Sequence, residues 1–368
     1  MAGELASKAR SAGARFGFIT CTIGVDVEAL RQALAAALPG VPFVGVTSCR
    51  AVIGNGAIAP GPRAASALWL TGDVKAGVAG QSVVVADEAV GRQLVRKATQ
   101  ALGGAAPTFA LFHGTPGTEE ALLRGAGPEL KPGTLLLGGS AADDEIAGKW
   151  SVFTHEARFV TGAVLALVSW PGKVAAPWIS GATHTPQKGV VTRAQGRTIL
   201  EIDHRAAAVV YDEWLGGALG GAMSSGEGIL SKTSLSPLGV MRASGITLVH
   251  PERVVQPTRG LATFAEVAKG ETVTLVRSTK VGMQGRPANL VSRAMSDAGI
   301  SQLKGVLLIY CAGCMLAIDP DTQLMVKALQ GVVGGAPIVG SFNFGEQGCH
   351  AGAKPEHGNL MTGALLLG

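Results

Sequence analysis

Three times along this chain an apolar run ends on small polar residues, and each time the elements follow in the same order. The last copy runs from Val306-Leu-Leu-Ile-Tyr-Cys-Ala-Gly-Cys314 through Ile338-Val-Gly-Ser-Phe-Asn-Phe-Gly-Glu346 to Thr362-Gly-Ala-Leu-Leu-Leu367. A second runs from Phe109-Ala-Leu-Phe-His-Gly-Thr115 through Leu135-Leu-Leu-Gly-Gly-Ser-Ala-Ala-Asp-Asp144 to Thr161-Gly-Ala-Val-Leu-Ala-Leu-Val168. A weaker copy opens the chain, in Phe16-Gly-Phe-Ile-Thr-Cys-Thr22, Pro42-Phe-Val-Gly-Val-Thr-Ser-Cys49 and Ala65-Ser-Ala-Leu-Trp-Leu70. Each reads as strand, helix, strand, tip, strand. A strand apolar on both faces must be covered by helices, so the pattern predicts an α/β fold built by duplication. The expectation is two domains of mixed sheets covered by helices, with internally repeated strand-helix-strand-strand units.

The last copy also carries the densest polar cluster. Ser341, Asn343, Glu346, His357 and Asn359 fall between its last two strands, and Gly340, Gly345 and Gly348 permit turns there. Short polar groups raised on rigid strands are how a fold presents a small-molecule pocket.

At 368 residues the chain is long enough for two cores. Apolar residues make up 47% and charged residues 15%, which predicts an ordered globular protein rather than a disordered or coiled-coil one. No apolar run reaches the roughly 18 to 20 residues of a membrane span, and residues 1–15 lack the apolar segment of a secretory signal, so a cytoplasmic location is expected. The net charge of +5 is spread thinly, without Lys/Arg runs and with only 5% aromatics, which argues against a nucleic-acid groove. Five cysteines, at 21, 49, 311, 314 and 349, make no disulfide framework in a chain of this size. No phosphate-binding glycine motif is present, and no helix is suited to lie on a membrane.

The stretch 169–177, with two prolines and a glycine, marks a boundary, giving domains 14–172 and 173–368. Periodicity predicts helices over 27–37, 87–102, 119–123, 287–298 and 322–329, and a strand over 272–277. Strands over 178–183 and 193–203 are followed by a helix over 204–215, with Asp203 placed to cap it. The Gly- and Ser-rich segment 216–237 reads as a mobile excursion.

On these motifs the chain resembles the FIST family, paired N- and C-terminal sensory domains of bacterial signalling proteins. Gly340-Ser-Phe-Asn-Phe-Gly-Glu346 is similar to the family's Gly, aromatic, Gly-Glu signature, His357-Gly-Asn-Leu-Met-Thr362 to its His-Asn ending, and Cys311-Ala-Gly to its small-residue Cys motif; residues 192–211 resemble the opening of its C-terminal domain. Two positions depart from the family: Cys314 stands where many members have an arginine, and Thr47-Ser-Cys-Arg-Ala51 where members commonly have a Gly-Glu-like turn. Without that arginine, the partner of any ligand carboxylate is in doubt.

The resemblance implies small-ligand sensing, with an amino-acid-like ligand or, as in some members, haem responding to nitric oxide. The implied pocket is lined by Cys311, Gly313, Cys314, Ser341, Asn343, Gly345, Glu346, His357 and Asn359. A signal would pass to a separate partner, such as a histidine kinase or cyclic-dinucleotide enzyme, or within a homo-oligomer; neither a nucleic acid nor a membrane is an expected partner. Haem needs an axial side chain facing an apolar slot, and His204, His113 and His357 are the candidates. Cys311-Ala-Gly-Cys314 has a spacing used in redox pairs and zinc knuckles, with Cys349 and His350 as the further zinc ligands if neighbouring tips lie side by side. The competing class is a cysteine/histidine-dependent enzyme, a hydrolase or thiol transferase, that combines Cys311, Cys314 or Cys349 with His350, His357 and Glu346.

Overall fold

The computed structural model describes residues 1–242, 245–350 and 353–368. All three repeats form, and each has the same topology. In the first, strand Ala14–Thr22 pairs in parallel with Phe43–Ser48 and antiparallel with Ala65–Thr71. In the second, Phe109–Gly114 lies between parallel Leu135–Gly139 and antiparallel Gly162–Ser169. In the third, Gly305–Cys311 lies between parallel Ile338–Asn343 and antiparallel Thr362–Leu367. The parallel crossovers are the helices Val27–Ala37, Glu119–Ala126, and Ala312–Ile318 with Thr322–Val333.

The tips do not stay with their own sheets. The hairpin Ala51–Gly54/Ala57–Pro60 of the first unit pairs with Ile338–Asn343 of the third. Likewise Glu346–Gly348/Glu356–Gly358 of the third pairs with Leu135–Gly139 of the second, and Val152–Thr154/Arg158–Phe159 of the second pairs with Phe43–Ser48 of the first. The three units exchange hairpins in a closed ring.

Strand periodicity explains what the ring encloses. Alternate side chains of a strand point to opposite faces. Phe16 and Phe18, Phe109 and Leu111, and Leu307 and Ile309 point inward and pack in one cluster with Leu365 and Leu367. Their neighbours point outward beneath helices: Ile19 and Cys21 under Ala2–Ala12 and Val27–Ala37, Ala110 and Phe112 under Glu88–Leu102 and Glu119–Ala126, and Val306, Leu308 and Tyr310 under Lys280–Ala298 and Thr322–Val333. The innermost core therefore draws on residues from both ends of the chain.

Between the second and third units, residues 183–277 form a separate sheet in the order Gly245–Val249, Leu238–Arg242, Thr272–Arg277, Thr183–Gln195, Thr198–Ile202, Gly260–Thr263, Pro251–Val255. It has its own core around Tyr211, Leu238, Leu261 and Leu275. The segment 169–177 does not stand free, since Val174–Ala175 and Trp178–Ile179 pair with the closing strand Thr362–Leu367.

Three local expectations are corrected. Asp203 caps no helix: it and His204 have φ of 50° and 62° and form the two-residue turn between Thr198–Ile202 and Arg205–Ala206, and the Asp203 carboxylate accepts from the Val190 amide. The helix begins only at Ala207 and ends at Trp214. Segment 216–237 is built rather than loose, with helices Ala222–Ser225 and Leu230–Thr233 and buried Leu219, Ile229 and Thr233. Finally, the helix read as starting at Pro287 starts two turns earlier at Lys280, where Thr279 Oγ1 accepts from the Gly282 amide.

Candidate functional site

The carboxyl ends of parallel strands Gly305–Cys311 and Ile338–Asn343 open into a cavity of about 500 Å³. Its floor carries Cys311, Gly313, Asn343 and Asn359, and its walls are Leu230, Leu235, His250, Phe264 and Phe344, with Lys280 at the edge. The position is where layered α/β folds place ligands, outside the carboxyl ends of parallel strands. The inserted sheet supplies one side: Leu230 and Leu235 come from segment 216–237, and Phe264 from the loop after Gly260–Thr263. A second hollow, of about 720 Å³, lies beyond Leu316 and is bordered by Arg50, Asp144, Glu145 and Asp319. It is larger, but Asp144 is already engaged by the Arg50 amide at 2.7 Å, and none of the residues expected at a pocket from the sequence lines it.

Of the nine residues expected at a pocket, Cys311, Gly313, Asn343 and Asn359 border the cavity, and the other five lie behind them. Ser341 Oγ donates to Asn343 Oδ1 at 2.7 Å, and Asn343 Nδ2 donates to the Ser140 carbonyl at 2.9 Å, so the Asn343 amide is held rigidly at the tip. The Asn359 Oδ1 accepts from the His250 amide at 3.1 Å, while its Nδ2 is buried with no partner among the described residues. Gly345 permits close approach, since a Cβ there would sit 2.2 Å from the His357 ring.

Below the floor, two polar clusters reach deep into the fold. In the first, Arg197 binds Glu119 at 2.7 Å and Glu120 at 2.6 Å, and Ser140 Oγ donates to Glu119 at 2.5 Å. Gln347 Nε2 donates to Ser140 Oγ and to His357 Nδ1, both at 2.9 Å, so His357 keeps its proton on Nε2 and gives it to the Phe264 carbonyl at 3.1 Å. Burial would raise the Glu119 pKa, but the Arg197 charge and the Ser140 hydroxyl hold it down at about 2.

The second cluster joins Cys311, Cys314, Arg286 and Glu346. Glu346 Oε2 accepts from the Met361 amide at 3.0 Å and Oε1 has no partner; burial, then the Cys311 sulfur, pushes its carboxyl well above the usual range. Arg286, 3% exposed, donates through Nη1 to the Leu360 carbonyl at 2.7 Å and lies 3.9 Å from Cys314 Sγ, while its Nε and Nη2 have no partner among the described residues. The arginine missing at position 314 thus has a counterpart beside Cys314, delivered by another helix.

The metal candidates are dispersed. His204 sits on its exposed turn, His350 stacks on Trp178 at 5.0 Å, and Cys349 packs beneath the helices of the second unit because its hairpin has crossed to that sheet. Among the described residues no three His, Cys, Asp or Glu side chains converge on one point. Neither His350 nor His357 hydrogen-bonds a cysteine: His350 faces Thr247 and His357 faces Gln347.

A haem does not fit the histidines either. His113 is sealed against Phe18, with Nδ1 2.9 Å from the Gly139 carbonyl, and His357 has both ring nitrogens engaged. His250 does face the cavity, but it bonds Thr233 Oγ1 at 3.0 Å and the Leu230 backbone. Axial ligation by His250 or His357 would require one of these bonds to break, and the free Nε2 of His113 is enclosed by packed core.

Burial lowers the pKa of both His113 and His250 to about 4, against 6.5 for a free histidine. The unfolded chain then binds more protons than the fold between those values, so their contribution to stability is complete above pH 6.5 and is lost as pH falls towards 4. Each is worth up to about 3 kcal/mol. Urea midpoints are expected to fall steeply from pH 6.5 to 4, and His250→Asn should flatten the slope.

The polar floor, apolar walls and closed ring describe an α/β protein with a cavity at the carboxyl ends of its parallel strands. The family profile described as FIST N domain matches residues 15–205, and that described as FIST C domain matches residues 207–349. The chain belongs to the FIST family, whose domains are associated with sensory signal transduction. No curated protein matches it. No helix among the described residues is long and apolar enough to cross a membrane.

Arg286, Gln347, Glu119, Arg197 and His250 were not foreseen as site residues. Gln347 follows the Gly-Glu pair directly, and Thr279 is an N-cap that would have placed Arg286 inside a helix, so Gln347 and Arg286 had a local signal; the Glu119–Arg197 pairing spans 78 residues and had none.

Proposed function

We propose that this protein senses a small polar-headed organic ligand, amino-acid-like in character, held in the cavity between the strand tips and the inserted sheet. The observation that carries the reading is the unpartnered Asn359 Nδ2 on a floor otherwise fixed by hydrogen bonds. A buried amide donor without an acceptor costs about 1 to 3 kcal/mol, which a ligand oxygen recovers on binding. Lys280 at the edge favours a carboxylate, and Leu230, Leu235, Phe264 and Phe344 accept an apolar body. Because 230–235 forms one wall, occupancy changes how segment 216–237 packs, and a kinase, a cyclic-dinucleotide enzyme or a second copy of the chain reads that change.

The test is thermal unfolding with a panel of the twenty amino acids and simple carboxylates. A ligand at a hundred times its Kd stabilises by about 2.7 kcal/mol. Asn359→Leu should abolish the shift; because it also strips the buried His250 amide of its acceptor, its ligand-free midpoint falls, and the shift is read against the variant's own baseline. If no compound shifts the native protein, or Asn359→Leu responds as fully as the parent, the reading fails.

A further inference from the structure

The ligand reading leaves the Cys311–Cys314 pair unused. Cys311 is the N-cap of helix Ala312–Ile318 and Cys314 lies in its first turn, where its Sγ donates to the Leu360 carbonyl at 3.6 Å, and their surroundings differ. Cys311 borders the cavity and is 4% exposed, whereas Cys314 is wholly buried behind it. Against Cys314 lies Arg286, 97% buried, with Nη1 3.9 Å from the sulfur and with Nε and Nη2 lacking any acceptor. A guanidinium with two idle donors beside a buried thiol is a costly arrangement unless a negative charge appears there for part of its cycle.

We infer that Cys311 and Cys314 form a reversible dithiol–disulfide switch, oxidised by a small organic disulfide that enters the cavity. Cys311 Sγ loses its proton to cavity solvent and attacks one sulfur of the disulfide RSSR, forming Cys311–S–S–R and expelling RS⁻, which takes up a proton. Cys314, as a thiolate beside Arg286, then attacks Cys311 Sγ, closing the Cys311–Cys314 bond and expelling the second RS⁻, which takes the proton Cys314 gave up. Two cysteine thiols become one disulfide, and RSSR becomes two RSH. A three-residue spacing on one helical turn brings the sulfurs within bonding reach.

The electrostatics favour the second step, ring closure by Cys314; access to the cavity rather than acidity makes Cys311 the attacking sulfur. Burial opposes ionisation of Cys314, but the neighbouring Cys311 thiol and the Arg286 charge bring its pKa below the ordinary thiol value; burial and the neighbouring Cys314 sulfur push Cys311 well above it. The charge therefore rests on the resolving sulfur. Glu346 beside Cys311 favours its neutral form, which avoids a second negative charge at the pair.

The experiment equilibrates the purified full chain with oxidised glutathione, alkylates with iodoacetamide and maps peptides. In the native protein the peptide covering residues 305–327 should carry no alkyl group at Cys311 or Cys314 and be lighter by two hydrogens, with dithiothreitol restoring both thiols. Cys314→Ser should trap glutathione on Cys311, Cys311→Ser should leave Cys314 unmodified, and Arg286→Met should accumulate the Cys311 adduct by slowing ring closure about tenfold or more, one pKa unit being tenfold in thiolate fraction. Both thiols of the native protein remaining open to alkylation after equilibration, or an adduct on Cys314 in Cys311→Ser, would overturn the inference. The native-protein arm needs no variant to fold, and it can fail while the amino-acid thermal shift persists, so the two readings fall separately.

Discussion

Phe109→Ala is expected to destabilise the whole molecule by about 3 to 5 kcal/mol, the usual cost of emptying an aromatic site in a packed core. Phe109 is fully buried on the inward face of the second unit, in the cluster that also holds Phe16, Leu307, Ile309 and Leu365. Two independent globules would confine the damage to residues before the inserted sheet. The hairpin ring forbids that, since each unit lends strands to the next sheet. Hydrogen exchange should therefore accelerate together in Gly305–Cys311, Thr362–Leu367 and Phe109–Gly114, within one denaturant transition. Loss of protection limited to the first half would show that the shared core does not couple the units.

Arg197→Met is expected to cost a similar amount for a different reason. It leaves Glu119, 1% exposed, as a buried carboxylate without its cation, and breaking one partner of such a pair costs about 3 to 5 kcal/mol. The Glu119 pKa should then rise from about 2, so the variant loses stability with increasing pH where the parent does not. The double variant Arg197→Met/Glu119→Gln should recover much of the loss, because the amide still accepts from Ser140 and only the partly exposed Glu120 is left without the cation. The pair also anchors the floor, since Glu119 holds Ser140, Ser140 binds Gln347, and its carbonyl receives the Asn343 amide. Urea titrations of the single and double variants at pH 5 and 8 check both points, and equal losses in the two variants would contradict the ion-pair account.

Much of the scaffold was legible because strands buried on both faces are written as unbroken apolar runs: Phe109–Gly114, Gly305–Cys311 and Thr362–Leu367 stand where those runs do. Glycine and polar residues likewise located the tips. What the tips do was not legible, because a hairpin's periodicity says that it pairs but not with which sheet, and the pairing of Ser341 with Val52 joins residues nearly three hundred positions apart. That exchange separated Cys349 from Cys311, against the expectation of adjacent tips. Arg286 escaped for a local reason: Pro287 reads as a first-turn proline, yet the helix tolerates it in its interior and carries Arg286 and Met283 inward. The cluster at 341–359 was visible as chemistry, but which members face a cavity and which brace them depends on partners such as Ser140 and Phe264 in distant segments.

The reading of the cavity as a sensory site is tested most directly by hydrogen exchange with and without the amino acid that gives the largest thermal shift. Bound ligand should slow exchange at the cavity wall, residues 228–237, and at the strand tips, residues 311–316 and 341–345, and Asn359→Leu should erase both effects. Protection confined to the hollow around Arg50, Asp319 and Gln323, or spread without focus over the chain, would contradict it.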